Sequence, residues 1–192
     1  SGNRVRAVDS SNIVRLFAGT GTSGFSGDGD VATSAQVQTP QGLYADSAGL
    51  VYIADKSNHV IRVVSASGII STFAGLGQSS GSSGDGFAAS SALLDGPYAV
   101  WVDVLNNVYI ADSSNSKIRV VDAYTGLIQT VAGTGISGSS GDGGLALSAQ
   151  MSLPKGIWGS ALSDQVFIAD ASDNKIRRMY TLYPSIAPTE VP

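Results

Sequence analysis

The chain is expected to be all-β, a β-propeller of four-stranded antiparallel blades, here a little over three of them. Three observations carry this expectation. Val51-Tyr52-Ile53-Ala54-Asp55 returns as Val108-Tyr109-Ile110-Ala111-Asp112 and as Val166-Phe167-Ile168-Ala169-Asp170, with the aspartates 57 and 58 residues apart. Each copy is followed by a second β-rich run, Ile61-Arg62-Val63-Val64, Ile118-Arg119-Val120-Val121 and Ile176-Arg177. Short polar turns separate runs rich in β-branched and aromatic residues, the sign of antiparallel strands. Four strands per repeat is the blade pattern of a propeller. A β-helix is the rival solenoid, but its coils are shorter and do not give four strands per period.

In chain order, Arg4–Val8 and Ile13–Phe17 read as two strands of a partial unit, residues 1–38. The first matches Lys175–Met179 and the second matches Ile69–Phe73. A loop from Gly19 to Thr39 follows, with Gly27-Asp28-Gly29 and then Ala32 and Ala35. Its copies hold Gly84-Asp85-Gly86 with Ala88 and Ala92, and Gly141-Asp142-Gly143 with Ala146 and Ala149. Glycines at this density mark turns that need positive φ. The Ala-x-x-Ala piece has the length of one helical turn, too short to stand alone.

The first complete unit, 39–95, has strands at Leu43–Asp46, Val51–Ala54, Val60–Val64 and Ile69–Phe73. A second fills 96–153, and a partial one, 154–180, stops after its third strand. That makes thirteen strands. The period exceeds the ~40–50 residues usual for propeller blades, and the Gly-Asp-Gly loop is the excess. Residues 181–192 hold Pro184, Pro188 and Pro192 with Ser185 and Thr189 and read as a tail or linker.

Composition excludes several classes of function. Of 192 residues, 43% are hydrophobic and 14% charged, which rules out a disordered segment. A formal charge of −4 gives no basic footprint for nucleic acid. No apolar run approaches the ~18 residues of a membrane span. Without cysteine there is neither a disulfide nor a thiolate metal site, and the redox compartment stays open. His59, the sole histidine, falls at a hairpin tip and is expected to be exposed. Nothing near it suggests a nucleophile elbow or a triad. No cofactor and no catalytic residue are expected.

Three sets of repeated residues are candidates for function. Asp55 and Arg62, Asp112 and Arg119, and Asp170 and Arg177 are each seven apart. In a hairpin centred between residues 58 and 59 the two charges face each other, a pairing that stabilises two strands by ~0.2–1 kcal/mol. A structural clamp is the leading reading and a ligand contact the other. Asp28, Asp85 and Asp142 of the Gly-Asp-Gly loops are weak Ca²⁺ candidates. A calcium site wants six to eight oxygens, and an Asp closing its own turn is the plainer account. Tyr44, Trp101 and Trp158 stand in register at intervals of 57 residues, with Asp46 and Asp103 two residues later and Ser160 in the third copy. Alternation puts the three rings on one face of the innermost strands. They are either a packing layer between blades, the leading reading, or a stacking platform for sugar rings or a partner's apolar side chain.

The order Pro-x-Gly-φ-x-x-Asp, then Val-Tyr-Ile-Ala-Asp-x-x-Asn-x-x-Ile-Arg, resembles the NHL repeat over residues 1 to about 180. With the Ala-Gly-Thr-Gly…Gly-Asp-Gly…Ala segment, it is similar to the long-looped NHL repeats of secreted bacterial proteins and of the teneurin cell-adhesion proteins. The resemblance implies an arc of a larger ring, perhaps six-bladed, and an interaction platform more than any one chemistry. It also implies a small residue where Tyr44, Trp101 and Trp158 stand, so these aromatics depart from the family pattern. Some NHL propellers are amidating lyases with histidine-bound metal, which one histidine and no cysteine do not build.

An open arc exposes sheet edges and blade faces. Three explanations are open: a longer parent propeller, which leads; a ring of several copies; or a fibre. The expectation is a non-catalytic extracellular or cell-surface module, its partner a protein or another copy bound through open blade edges. The alternative is a carbohydrate-binding or carbohydrate-processing propeller built on the aromatic ladder, with a glycan as ligand.

Overall fold

The structure is a computed structural model and describes residues 2–160 and 164–180. The expected tail, 181–192, lies outside the described residues. Thirteen strands form four sheets. Strands β1 (Val5–Val8) and β2 (Val14–Ala18) make a two-stranded sheet. Strands β3 (Pro40–Ala45), β4 (Val51–Asp55), β5 (Val60–Val64) and β6 (Ile70–Ala74) make the first full blade. Strands β7 (Pro97–Val102), β8 (Val108–Asp112), β9 (Lys117–Val121) and β10 (Ile128–Ala132) make the second. Strands β11 (Pro154–Gly159), β12 (Gln165–Asp170) and β13 (Lys175–Tyr180) close the series with three. All pairings are antiparallel between sequence neighbours, so each sheet is a meander.

The innermost strands β3, β7 and β11 lie side by side, β7 touching both of the others. They approach closely because Pro-x-Gly places a residue without a side chain there. A Cβ on Gly42 would lie 2.7 Å from the Tyr98 carbonyl oxygen and 2.8 Å from Ala99 Cα.

Strands β4, β5, β8 and β9 read as near-continuous apolar runs because both of their faces are covered. On β4, Ile53 enters the core shared with β1 and β2, while Tyr52 and Ala54 enter the core shared with the second blade. On β8, Val108 and Ile110 face back to the first blade, and Tyr109 and Ala111 face forward to β11–β13. Three inter-blade cores result. This is a propeller arc in which stability comes from neighbour contacts along one dimension.

Several local expectations shift. The first strand of each unit begins at its proline (Pro40–Ala45, where Leu43–Asp46 was expected), because the proline pairs at the strand's first position, where its missing N–H costs nothing. The fourth strand is Ile70–Ala74 and carries a bulge at Phe73. The single helical turns are 3-10 turns, Ala32–Ser34, Ala89–Ser91 and Ala146–Ser148, so Ala89, not Ala88, is the counterpart of Ala32. The β4–β5 hairpin closes through a 3-10 turn, Lys56–Asn58, with His59 left-handed at φ 59°. That turn pairs Asp55 with Val60 and Ile53 with Arg62. Asp55 and Arg62 are therefore diagonal neighbours on one face, not directly opposed as the sequence spacing suggested. A two-residue shift keeps side chains on the same face, where one residue would have flipped them. Asp112/Lys117 and Asp170/Lys175 repeat this register.

Candidate binding site: an aromatic cavity at the inner strands

Tyr44, Trp101 and Trp158 occupy the fifth position of β3, β7 and β11. Each pairs across the ladder with a second aromatic, Tyr52, Tyr109 and Phe167. Ring centroids are 5.2 Å apart for Trp101 and Tyr109 and 6.4 Å for Trp158 and Phe167. The three rings line one cavity of about 420 Å³, with Asp46, Asp103 and Asn106 among its polar neighbours. They are not equivalent within it. Trp101 is 4% exposed, its six-membered ring lying over Gly159 where any Cβ would collide. Trp158 is 60% exposed, and Tyr44 is half-buried between two blade cores. The packing and the platform readings thus divide among the rings: Trp101 is a wall, and Trp158 offers its surface.

Asp46 and Asp103 stand at the rim but are engaged. Asp46 Oδ1 accepts the N–H groups of Ala48 and Leu50, at 2.9 and 2.8 Å. Asp103 Oδ1 accepts those of Leu105 and Asn107, both at 2.9 Å, and its Oδ2 accepts Asn107 Nδ2 at 2.9 Å. Both close their own turns. Burial, aided by the Asp46 charge, pushes the Tyr52 phenol upward.

The Asp–Arg pairs form a separate set, away from the cavity. Arg62 and Arg119 have no exposed side-chain surface. Arg62 Nη1 lies 3.7 Å from Asp55 Oδ2, Arg119 Nη1 3.4 Å from Asp112 Oδ2, and Arg177 Nε 3.3 Å from Asp170 Oδ2. Each arginine also holds the aspartate of a Gly-Asp-Gly loop: Asp28 at 2.5 Å, Asp85 at 2.7 Å and Asp142 at 3.3 Å. This geometry favours the plainer, structural account of those three residues over a calcium ligand. Their carboxylates face a fixed guanidinium charge, which repels a cation, and Asp28 also accepts Thr72 Oγ1 at 2.7 Å. Among the described residues no three His, Cys, Asp or Glu side chains converge on a metal position. The loops reach the arginines because Gly27, Gly84 and Gly141 take φ of 87°, 102° and 96° and sit where a Cβ would strike Ala35, Ala92 and Ala149.

Burial pushes the carboxyls of Asp55 and Asp112 up to about 6, against the lowering effect of Asn58 or Asn115, a backbone N–H and the arginine. Asp170 is also raised, first by burial. Asp142 is lowered by its hydrogen bond to Lys175.

Two features escaped the sequence. Asn58 Nδ2 bridges Asp55 Oδ2 and the Gly24 carbonyl, and Asn115 Nδ2 bridges Asp112 Oδ2 and the Gly81 carbonyl. Three residues after Asp170 the counterpart is Asp173, and Asn174 takes the left-handed turn position of His59 and Ser116. His59 is also not a free tip. Its Nδ1 accepts the Gly96 N–H at 3.2 Å and lies 3.2 Å from Asp95 of the next blade. Only a contact between units reveals that, and spacing within one unit carries no sign of it.

The family model of the teneurin NHL domain matches residues 16–82. Human NHL repeat-containing protein 2 is 30% identical over 132 residues, which is 67% of this chain and 18% of that protein. The chain belongs to the NHL-repeat family. As a fold, it matches an auxiliary nutrient binding protein from Bacteroides ovatus, with a TM-score of 0.69, 16% identity and coverage of 96% of this chain and 44% of that one. A streptogramin B lyase structure matches with a TM-score of 0.58 and 15% identity, over 98% of this chain and 49% of that one. This NHL chain spans less than a fifth of the curated relatives it matches and no more than about half of those solved structures. The propeller fold therefore serves proteins named for binding and proteins named for catalysis. Among the described residues no helix is long and apolar enough to cross a membrane.

Proposed function

We propose that the chain is a non-catalytic binding and structural module acting outside the cell or at its surface, with the aromatic cavity as its partner seat. The observation that carries this is the convergence of Tyr44, Trp101 and Trp158 on one cavity of about 420 Å³ at the inner strands. That is within the range of small-ligand sites, and apolar walls with a few fixed polar groups are their usual lining. The seat suits an apolar or aromatic side chain presented by a protein. Rigid aromatic anchors dominate such contacts because they bury large area at small entropic cost. The carboxylates of Asp46 and Asp103 are tied to backbone N–H groups, which fits turn geometry better than acid–base work. The name of the Bacteroides ovatus neighbour agrees with binding.

A second reading has its own support. Exposed Trp158 beside Asp103 and Asn106 is the pairing of ring face and polar groups that a sugar ring uses. The test is a phage-displayed peptide library panned on the protein, with maltohexaose titrated in parallel by tryptophan fluorescence. Val104→Arg, at an exposed rim position away from the blade contacts, obstructs the cavity. Selected peptides are expected to lose at least tenfold in affinity on this variant. Peptides that bind wild type and variant alike would place the seat elsewhere. A saturable maltohexaose response that Val104→Arg removes would favour the sugar reading.

A further inference from the structure

The aromatic cavity carries a charge as well as a shape. Tyr44, Trp101 and Trp158 line it together with Asp46 and Asp103, and no Lys or Arg is among its described lining residues. The three rings lie one pair from the far end of their ladders, beside the pairs Ala45/Val51, Val102/Val108 and Gly159/Val166. All four lysines of the chain stand at the other end. Lys117 and Lys175 pair with Asp112 and Asp170 at the hairpins, Lys56 lies in the β4–β5 turn, and Lys155 follows Pro154, the partner of Asp170. The chain's own cations are spent on other rings: Lys56 and Lys155 over Tyr98, Arg62 over Phe25 and Arg178 over Tyr180, at 5.1 to 5.7 Å. Among the described residues none lies over Tyr44, Trp101 or Trp158.

We propose that the group seated in this cavity is a quaternary ammonium, an organic cation with no N–H to donate; this rests on the reading of the cavity as the partner seat and names the chemistry of what it takes. The first argument is electrostatic. The faces of Trp and Tyr attract a cation, Trp most strongly, and the attraction grows as water is excluded. The two carboxylates add full charges at the rim. The field of Asp46 reaches the ring layer, since after burial it is the Asp46 charge that pushes up the phenol of Tyr52, the cross-strand partner of Tyr44. The second argument concerns hydrogen bonds. Asp103 has filled three of its about four acceptor sites, with Leu105 N, Asn107 N and Asn107 Nδ2. Asp46 Oδ1 already holds Ala48 N and Leu50 N. The carboxylates thus keep their charge while much of their accepting capacity is taken. A bare ammonium brings three donors that must each be paired again on leaving water, and a sugar brings hydroxyls to the same occupied oxygens. Alkyl groups on the nitrogen remove the donors, keep the charge and give the rings apolar surface to cover.

The test is titration of the 192-residue chain with choline and with 3,3-dimethylbutan-1-ol, its uncharged isostere, read by the emission of Trp101 and Trp158. Choline is expected to bind saturably, and the isostere about tenfold more weakly. Asp46→Asn removes a charge but leaves an Oδ1 that accepts the same two N–H groups. It should weaken choline about fivefold while leaving the isostere's affinity and the circular dichroism unchanged. A short peptide carrying trimethyllysine, titrated alongside, separates two sources of the same group. If it binds tighter than choline, a protein presents the cation; if choline binds tighter, the cation is a free headgroup. Equal affinity for choline and its isostere would overturn the proposal and leave the seat an apolar one. Choline binding that Asp46→Asn does not weaken would overturn it too. So would no response to either cation, and in that case the panned peptides, by their loss on Val104→Arg, would still decide whether the cavity is the partner seat.

Discussion

Arg119 has no solvent contact and lies between a buried carboxylate, Asp112, and a half-exposed one, Asp85. Replacing it by Ala leaves Asp112 without its counter-ion in a dry site and pushes its carboxyl higher still. The expected loss is about 3–5 kcal/mol, read from urea unfolding at pH 7. Asp112 itself gives a pH signature. Its carboxyl is raised from 3.8 to about 6 in the folded state, so the native chain holds a proton that the unfolded chain releases. The stability this contributes is complete below about pH 4 and lost as pH rises through 6. Asp112→Asn should remove that fall, which is at most about 3 kcal/mol. If wild type and variant keep a constant stability difference between pH 4 and 7, the burial account of Asp112 is wrong. The sequence showed which residues recur, and Asp and Arg at a constant spacing of seven pointed to a clamp. It did not show that the second carboxylate of each clamp comes from the loop of the unit before. Asp28 and Arg62 are thirty-four residues apart, and no local rule of spacing links them.

At the scale of the element, the blade hairpins show what a period can and cannot convey. The spacing of seven put Asp55 with Arg62 and Asp112 with Arg119 on one face of their hairpins, and the observed register keeps them there, because a register error of two leaves the face unchanged. The turn was harder. The register depends on a 3-10 turn ending in a left-handed residue, and His59, Ser116 and Asn174 share that conformation without sharing chemistry. One substitution within these turns is a natural lesion. In the first two hairpins an Asn amide donates to the buried aspartate; in the third, Asp173 brings a second carboxyl instead, which adds to burial in pushing the Asp170 carboxyl up where the amide pulls its counterparts down. Asp173→Asn should restore the donor and stabilise the last blade by about 1–3 kcal/mol, measured as an increase in the midpoint of denaturation. A neutral or destabilising result would show that Asp173 has found another role. The loops are the least legible elements. Their glycines announced turns, but that they exchange hydrogen bonds with the fourth strand of the next blade, as Gly29 and Asp30 do with Ile70, appears only once units are placed side by side.

At the scale of the molecule, the chain is a linear stack in which each sheet touches only its neighbours, so local stability follows from how many faces are covered. The second blade has a neighbour on both sides; β1 and β2 have one, and most of their residues are exposed. Amide exchange should be slowest in β8 and β9 and faster by several orders of magnitude in β1 and β2. Equal protection along the chain would mean that β1 and β2 are covered in solution by something other than described residues. Fold class and strand number were legible because they rest on a pattern repeated three times. The aromatic cavity was legible in part: register placed the three rings in a row, but their unequal burial comes from position in the stack, since among the described residues no inner strand follows that of Trp158.

That inequality gives the protein two optical stations. Trp101 and Trp158 are its only tryptophans, one sealed in the second blade and one open on the third. Their indoles differ in polarity of surroundings and in access to a dissolved quencher such as iodide. The unmodified chain therefore emits two distinguishable signals, the blue-shifted one reporting the middle of the stack and the quenchable one its end, so that ligand arrival, docking of a neighbour and fraying can be told apart without a label.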